Sequence, residues 1–228
     1  MHEAQDQALD PGVRRDDEHS KLPLTYLALG DSYSIGEGVA ENARWPIQLA
    51  RAMRSEGIAM TDPRIIAMTG WSTDELAAAM DAVEPLGQWD VVSLLIGVND
   101  QYRGHAVDGY RTSFTRLLQR AIALAGANPR QVFVLSIPDW GVTPFAQKSG
   151  RDLQQIADEL DTYNAATREI CDAHGVAFVD ITQASRECGA KPAMLADDGL
   201  HPSEAMYAEW TRLALPVVRA QLAKPKSG

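Results

Sequence analysis

The chain is poor in cysteine, with only Cys171 and Cys188 among 228 residues. A small secreted scaffold stapled by disulfides shows more cysteines at regular spacings, so that class is excluded. Each thiol reads as a buried free cysteine, and one bridge between the two is the alternative. Long apolar runs are also missing. None approaches the ~20 residues needed to span a bilayer, which speaks against stable membrane insertion. The stretch Met1–Ser20 is polar and lacks the apolar segment of a secretory signal, so the chain reads as cytoplasmic.

Positive charge is in deficit. There are 21 Lys and Arg against 31 Asp and Glu, a net charge of -10. An acidic surface repels phosphate backbones and anionic headgroups, so nucleic acid and anionic membrane surfaces are disfavoured as partners. A small neutral substrate is not. Internal repeats and low-complexity tracts are absent as well.

What is present is ordinary for a globular chain: 45% hydrophobic and 23% charged residues. Residues 1–21 read as a flexible arm and 22–228 as one domain with a core that needs neither disulfide nor metal. Strand patterns fall at Thr25–Leu29, Arg64–Met68, Val91–Ile96, Gln131–Ser136 and Ala177–Asp180. Helical patterns lie between and after them, at Arg44–Arg54, Ser72–Met80, Val107–Ala125, Arg151–Ala173 and Ser203–Leu222. Ser72 with Glu75 forms a capping-box pattern, Gly175 suits a helix end, and Pro216 predicts a kink. Alternating strands and helices predict βαβ crossovers and a parallel five-stranded sheet covered on both faces, a three-layer α/β/α sandwich. Ligands of such sheets bind beyond the carboxyl ends of the strands.

Four short segments occupy those places. Gly30-Asp31-Ser32-Tyr33-Ser34 follows the first strand and presents a serine hydroxyl on a tight turn, with Gly30 permitting the close turn. A serine hydroxyl is a weak nucleophile that needs a base. Thr69-Gly70-Trp71 follows the second strand, and Gly70 offers a backbone N–H with no side chain in the way. Gly97-Val98-Asn99-Asp100 follows the third, where the Asn99 amide can donate into the same space. Asp198-Gly199-Leu200-His201-Pro202 precedes the last helix, and its aspartate can hold one ring nitrogen while the other faces a serine. Each segment taken singly is an ordinary turn. Jointly they supply a nucleophile, a base, an acid and three oxyanion donors: the Ser32 and Gly70 N–H groups and the Asn99 side chain. Among the other histidines, His2 and His19 lie in the polar arm, His105 in a loop and His174 at a helix end, and none has an aspartate three positions before it.

These segments resemble the sequence blocks of the SGNH (GDSL-like) hydrolases, whose Ser, Gly, Asn and His correspond to Ser32, Gly70, Asn99 and His201. The resemblance runs from about Leu24 to Leu222. Tyr33 stands where the literal Gly-Asp-Ser-Leu motif has leucine. The resemblance implies a flavodoxin-like fold, Asp198 as third triad member, no cofactor or metal, and ester, thioester or related acyl substrates. An acyltransferase, or a thioesterase or lysophospholipase, using the same triad is the alternative. An α/β-hydrolase elbow fails because Ser34 stands where Gly-x-Ser-x-Gly needs glycine. A metal-dependent phosphoesterase lacks histidine ligands, and a non-catalytic module would not keep every catalytic position filled.

Trp71, Tyr102, Trp140 and Phe145 border these segments and are candidate substrate contacts, with Trp140 and Phe145 as an apolar wall in a long loop over Ser136–Gly150. Arg103 either meets a negative group on a substrate or stands exposed. Asp31 and Asp100 read as structural, bonding nearby loop backbone. No insertion is long enough for a lid domain, which predicts an open site for short acyl esters.

Overall fold

The structure, a computed structural model, describes residues 22–223. The arm at 1–21 lies outside them. Five strands form one sheet: β1 (Tyr26–Gly30), β2 (Arg64–Ala67), β3 (Val91–Leu95), β4 (Val132–Leu135) and β5 (Ala177–Val179). All pair in parallel, in the order β2-β1-β3-β4-β5. Every residue of β1, β3 and β4 is buried, as expected for strands covered on both faces. The edge strands β2 and β5 carry partly exposed residues.

Right-handed crossovers fix which face each connecting helix covers. The chain leaves β1 toward β2 through α2 (Trp45–Ser55), then returns to β3 through α3 (Thr73–Ala82). It continues through α5 (Val107–Leu124) and α7 (Leu153–His174) to β4 and β5. α3, α5 and α7 pack side by side, and α2 packs against the final helix α9 (Glu204–Leu222). This is the three-layer arrangement expected from the sequence. The exposed Pro216 lies inside α9 without ending it.

Four short helices escape the sequence pattern: α1 (Ser32–Ile35), α4 (Val98–Tyr102), α6 (Pro144–Lys148) and α8 (Thr182–Cys188). The expected long loop at Ser136–Gly150 therefore contains α6 and a 3-10 turn at Trp140–Val142. Thr143 caps α6, its hydroxyl accepting from the Ala146 N–H, and Pro144 takes the first helical position. The Ser72–Glu75 capping box is formed at the start of α3. Cys171 is buried and Cys188 half-buried, and both are free, so no bridge joins them. Among the described residues, no helix is long and apolar enough to cross a membrane.

Candidate active site

From β1 the chain goes to β2 on one side and then to β3 on the other, and this switch in winding opens a crevice at the carboxyl ends of β1 and β3. Ser32 begins α1 directly after β1, and Asn99 lies in α4 directly after β3. A cavity of ≈ 230 Å³ occupies this crevice. Ser32, Gly70, Asn99 and His201 all line it, together with Tyr102, Trp140 and Phe145.

Each functional position has a local reason for its place. Gly30 ends β1 in extended backbone, so its requirement is space and not an unusual φ. A Cβ there would lie 2.2 Å from Ser34 Oγ and 2.5 Å from the Leu95 carbonyl oxygen. Asp31 caps α1 by accepting from the Tyr33 N–H at 3.0 Å. Gly70 has φ +87° with nothing within 4 Å of where a Cβ would stand. Gly97 turns the chain from β3 into α4 at φ +129°.

The Asp198–His201 turn is braced at several points. Asp198 Oδ2 meets the ring Nδ1 of His201 at 2.5 Å, while Oδ1 accepts from the Leu200 and His201 N–H groups at 2.9 Å each. Gly199 adopts φ +66°, and its carbonyl accepts from the Phe145 N–H. Burial pushes the Asp198 carboxyl up, but the His201 ring and the two backbone N–H groups outweigh it and hold the group below its ordinary value. The His201 ring meets the edge of the buried Tyr33 ring at 5.9 Å, and Tyr33 in turn packs against Trp210. No hydrogen bond joins Ser32 Oγ to the His201 ring. Asp198 is 42% exposed, so this carboxylate is partly solvated.

The donors around the cavity are arranged unequally. Neither the Ser32 nor the Gly70 N–H donates to another described residue. Asn99 Nδ2 gives one hydrogen to the Trp71 carbonyl at 2.8 Å and keeps the second. Asp100 accepts from the Thr73 N–H at 3.0 Å and from the Thr73 hydroxyl at 2.8 Å, which ties α4 to the start of α3. Asp31 and Asp100 thus make the backbone bonds expected of them.

The aromatic side of the cavity is also braced. Trp140 meets Tyr102 and Phe145 edge to face, at 5.4 and 6.2 Å between ring centroids. Its indole N–H donates to Gln101 Oε1 at 2.9 Å. Arg151 lies 5.4 Å from the Trp140 ring centroid and 5.9 Å from that of Tyr102, and it pairs with Glu159. Trp71 is not among the lining residues: it is half-buried against the core, and its carbonyl takes the Asn99 bond. Arg103 stands exposed, as one of the two readings had it, but it is engaged by its neighbours. It pairs with Glu75 and donates to the Gly70 carbonyl. Sequence reasoning missed this tie, as well as the roles of Gln101, Arg151 and Leu200 around the cavity. Among the described residues, no three His, Cys, Asp or Glu side chains are grouped to hold a metal ion.

Three solved structures share this fold at low identity. The psychrotrophic esterase EstA from Pseudoalteromonas sp. aligns with TM-score 0.60 and 18% identity, over 87% of this chain and 93% of its own. The lipase/acylhydrolase from Enterococcus faecalis aligns with TM-score 0.65 and 19% identity, over 90% and 100%. The acetylxylan esterase Axe2 from Geobacillus stearothermophilus aligns with TM-score 0.65 and 20% identity, over 86% and 94%. No curated protein matches the sequence. The family model for GDSL-like Lipase/Acylhydrolase proteins matches residues 28–209, most of the described chain. The chain belongs to that family and is an ester-bond hydrolase of the GDSL type.

Proposed function

We propose that this enzyme hydrolyses short-chain carboxylic esters through Ser32, His201 and Asp198, by way of an acyl-enzyme. One observation carries the reading: Ser32, Gly70, Asn99 and His201, far apart in sequence, line one cavity at the switch point of the sheet. In this mechanism the His201 ring removes the Ser32 proton while Oγ attacks the acyl carbon. Asp198 holds Nδ1 so that Nε2 is the basic nitrogen. The carbonyl oxygen gains charge and receives hydrogen bonds from the Ser32 N–H, the Gly70 N–H and the second Asn99 hydrogen. His201 then gives its proton to the departing alkoxide. Water, deprotonated by the same ring, releases the acid and restores Ser32. The Ser32–His201 hydrogen bond forms in the substrate complex, since catalytic hydrogen bonds are often long in the free enzyme.

The substrate class follows from the walls. None of the lining residues is Asp, Glu, Lys or Arg, so the cavity suits an uncharged acyl group. Its ≈ 230 Å³ lies below the ~300–1,000 Å³ usual for ligand pockets, which favours a short chain against Tyr102, Trp140 and Phe145. A p-nitrophenyl ester series from acetyl to palmitoyl tests both halves. We expect kcat/KM to peak at short acyl chains, and Ser32→Ala to lose turnover by at least about 10⁴-fold on every ester. Efficiency that still climbs at palmitoyl would overturn the size argument, and full turnover by Ser32→Ala would overturn the mechanism. Adding an alcohol and separating the products distinguishes hydrolysis from acyl transfer.

A further inference from the structure

Gly70 is exposed to an unusual freedom for a residue assigned to charge stabilisation. It sits at φ +87°, nothing packs where a side chain would be, and its N–H has no partner among the described residues. The turn around it closes with a long hydrogen bond, Trp71 N–H to the Met68 carbonyl at 3.3 Å. An oxyanion donor works only if its direction is set before charge develops. Local packing does not set it here.

Among the described residues, the hydrogen bond on Gly70 comes from Arg103. Nη2 of Arg103 donates to the Gly70 carbonyl at 2.6 Å, a charge-assisted bond, and Nη1 donates to Glu75 Oε2 at 2.9 Å. The same Glu75 oxygen accepts from the Ser72 N–H at 2.8 Å. The guanidinium fork therefore spans two points of one loop, the carbonyl of Gly70 and the capping box that starts α3. Arg103 is the C-cap of α4, four residues after Asn99 and still in helical backbone, so the two side chains leave the same face. They grip adjacent carbonyls: Asn99 takes that of Trp71, Arg103 that of Gly70.

We propose that Arg103 is a positioning residue that fixes the Gly70 N–H toward the oxyanion site. α4 then supplies one donor directly, through Asn99, and aims a second through Arg103. This inference rests on the proposed Ser32 mechanism with Gly70 as a donor. Nη1 and Nη2 are both engaged on this loop, which gives the guanidinium a positioning contact at each end of its fork. A lysine has one compact head and cannot reproduce the two-point span. The Arg103–Glu75 pair is exposed, at 41% and 47%, and such pairs add little to stability.

The test compares wild type, Arg103→Met, Arg103→Lys and Ser32→Ala on one short-chain nitrophenyl ester, with thermal melts of each. Methionine keeps an alkyl stem and removes both donors. Arg103→Met should lower kcat between about 10-fold and about 100-fold with KM changed less than about twofold, because a misaimed donor is lost mainly in the transition state. Arg103→Lys should fall between the two. Tm should drop by less than about 4 °C. Affinity for a trifluoromethyl ketone, whose serine adduct carries an oxyanion, should weaken by the same factor as kcat. Wild-type kcat in Arg103→Met, or a raised KM at unchanged kcat, overturns the proposal. So does a loss of kcat without loss of ketone affinity. If Arg103→Met does not fold, Arg103→Lys decides by the same kcat and ketone criteria. Turnover by Ser32→Ala would instead defeat the underlying mechanism, whatever the Arg103 variants do.

Discussion

Asp31 precedes Ser32, the proposed nucleophile, and is fully buried, yet only its Oδ1 has a partner; Oδ2 has none among the described residues. Burial pushes its carboxyl up to about 8, the Tyr33 N–H bond opposes this, and the nearby Asp100 adds to the rise. A folded value above the unfolded one, about 3.9, means the folded state binds the proton more tightly. The associated stability is present in full below about pH 4 and is lost as pH rises through about 8. Asp31→Asn keeps the acceptor and cannot ionise. The Tm of wild type minus that of Asp31→Asn should therefore fall across this window in a melting series, and a flat difference would show that Asp31 does not titrate there. Asn99 makes a different prediction. Asn99→Ala removes a donor and the Trp71 tie together, so kcat should fall about 10²- to 10³-fold. Legible in the sequence as neighbours were Ser32, Gly70, Asn99 and His201, which line one cavity, and Asp198, which meets the His201 ring. Trp71 and Arg103 were not, because adjacency in sequence does not tell whether a ring faces a cavity or a guanidinium reaches a carbonyl across 33 positions.

At the scale of elements, the turn between β3 and α4 carries the most consequence. At Gly97 a Cβ would lie 2.7 Å from Tyr110 Cε2 and 2.9 Å from Ile137 Cδ1, on backbone at φ +129° that other residues rarely adopt. Gly97→Ala should lower Tm by several degrees, roughly what 1–3 kcal/mol of strain produces in a chain this long. It should also lower kcat, because α4 carries Asn99 and ends at Arg103. A variant with wild-type melting and turnover would show that the turn tolerates a side chain. The long helices α5, α7 and α9 fall within two residues of their expected bounds, because their apolar periodicity spans several turns. The capping box of α3 is likewise visible in two residues. α1, α4, α6 and α8 were not visible: at four to seven residues they show less than two turns of pattern, and packing decides them.

Across the whole molecule, alternation of strands and helices disclosed a parallel sheet, but not the order β2-β1-β3-β4-β5. Pairings between segments distant in sequence decide that order, and the helices α2 and α9, also distant, pack on each other. The order places β1 beside β3 and so brings Ser32 and Asn99 to one crevice. The aromatic wall has a similarly distributed origin, since Trp140 is fixed by Gln101 from α4 and by Arg151 paired with Glu159 of α7. Function here is therefore a property of convergence.

That convergence is most directly tested by labelling with a fluorophosphonate, which reacts with a serine only where a base activates it beside an oxyanion cradle, followed by peptide mapping by mass spectrometry. One adduct per chain is predicted, on Ser32, slowed severely in His201→Ala and absent in Ser32→Ala. An adduct on a different residue, or none on protein that still hydrolyses esters, would contradict the assignment of these four loops to a single reaction.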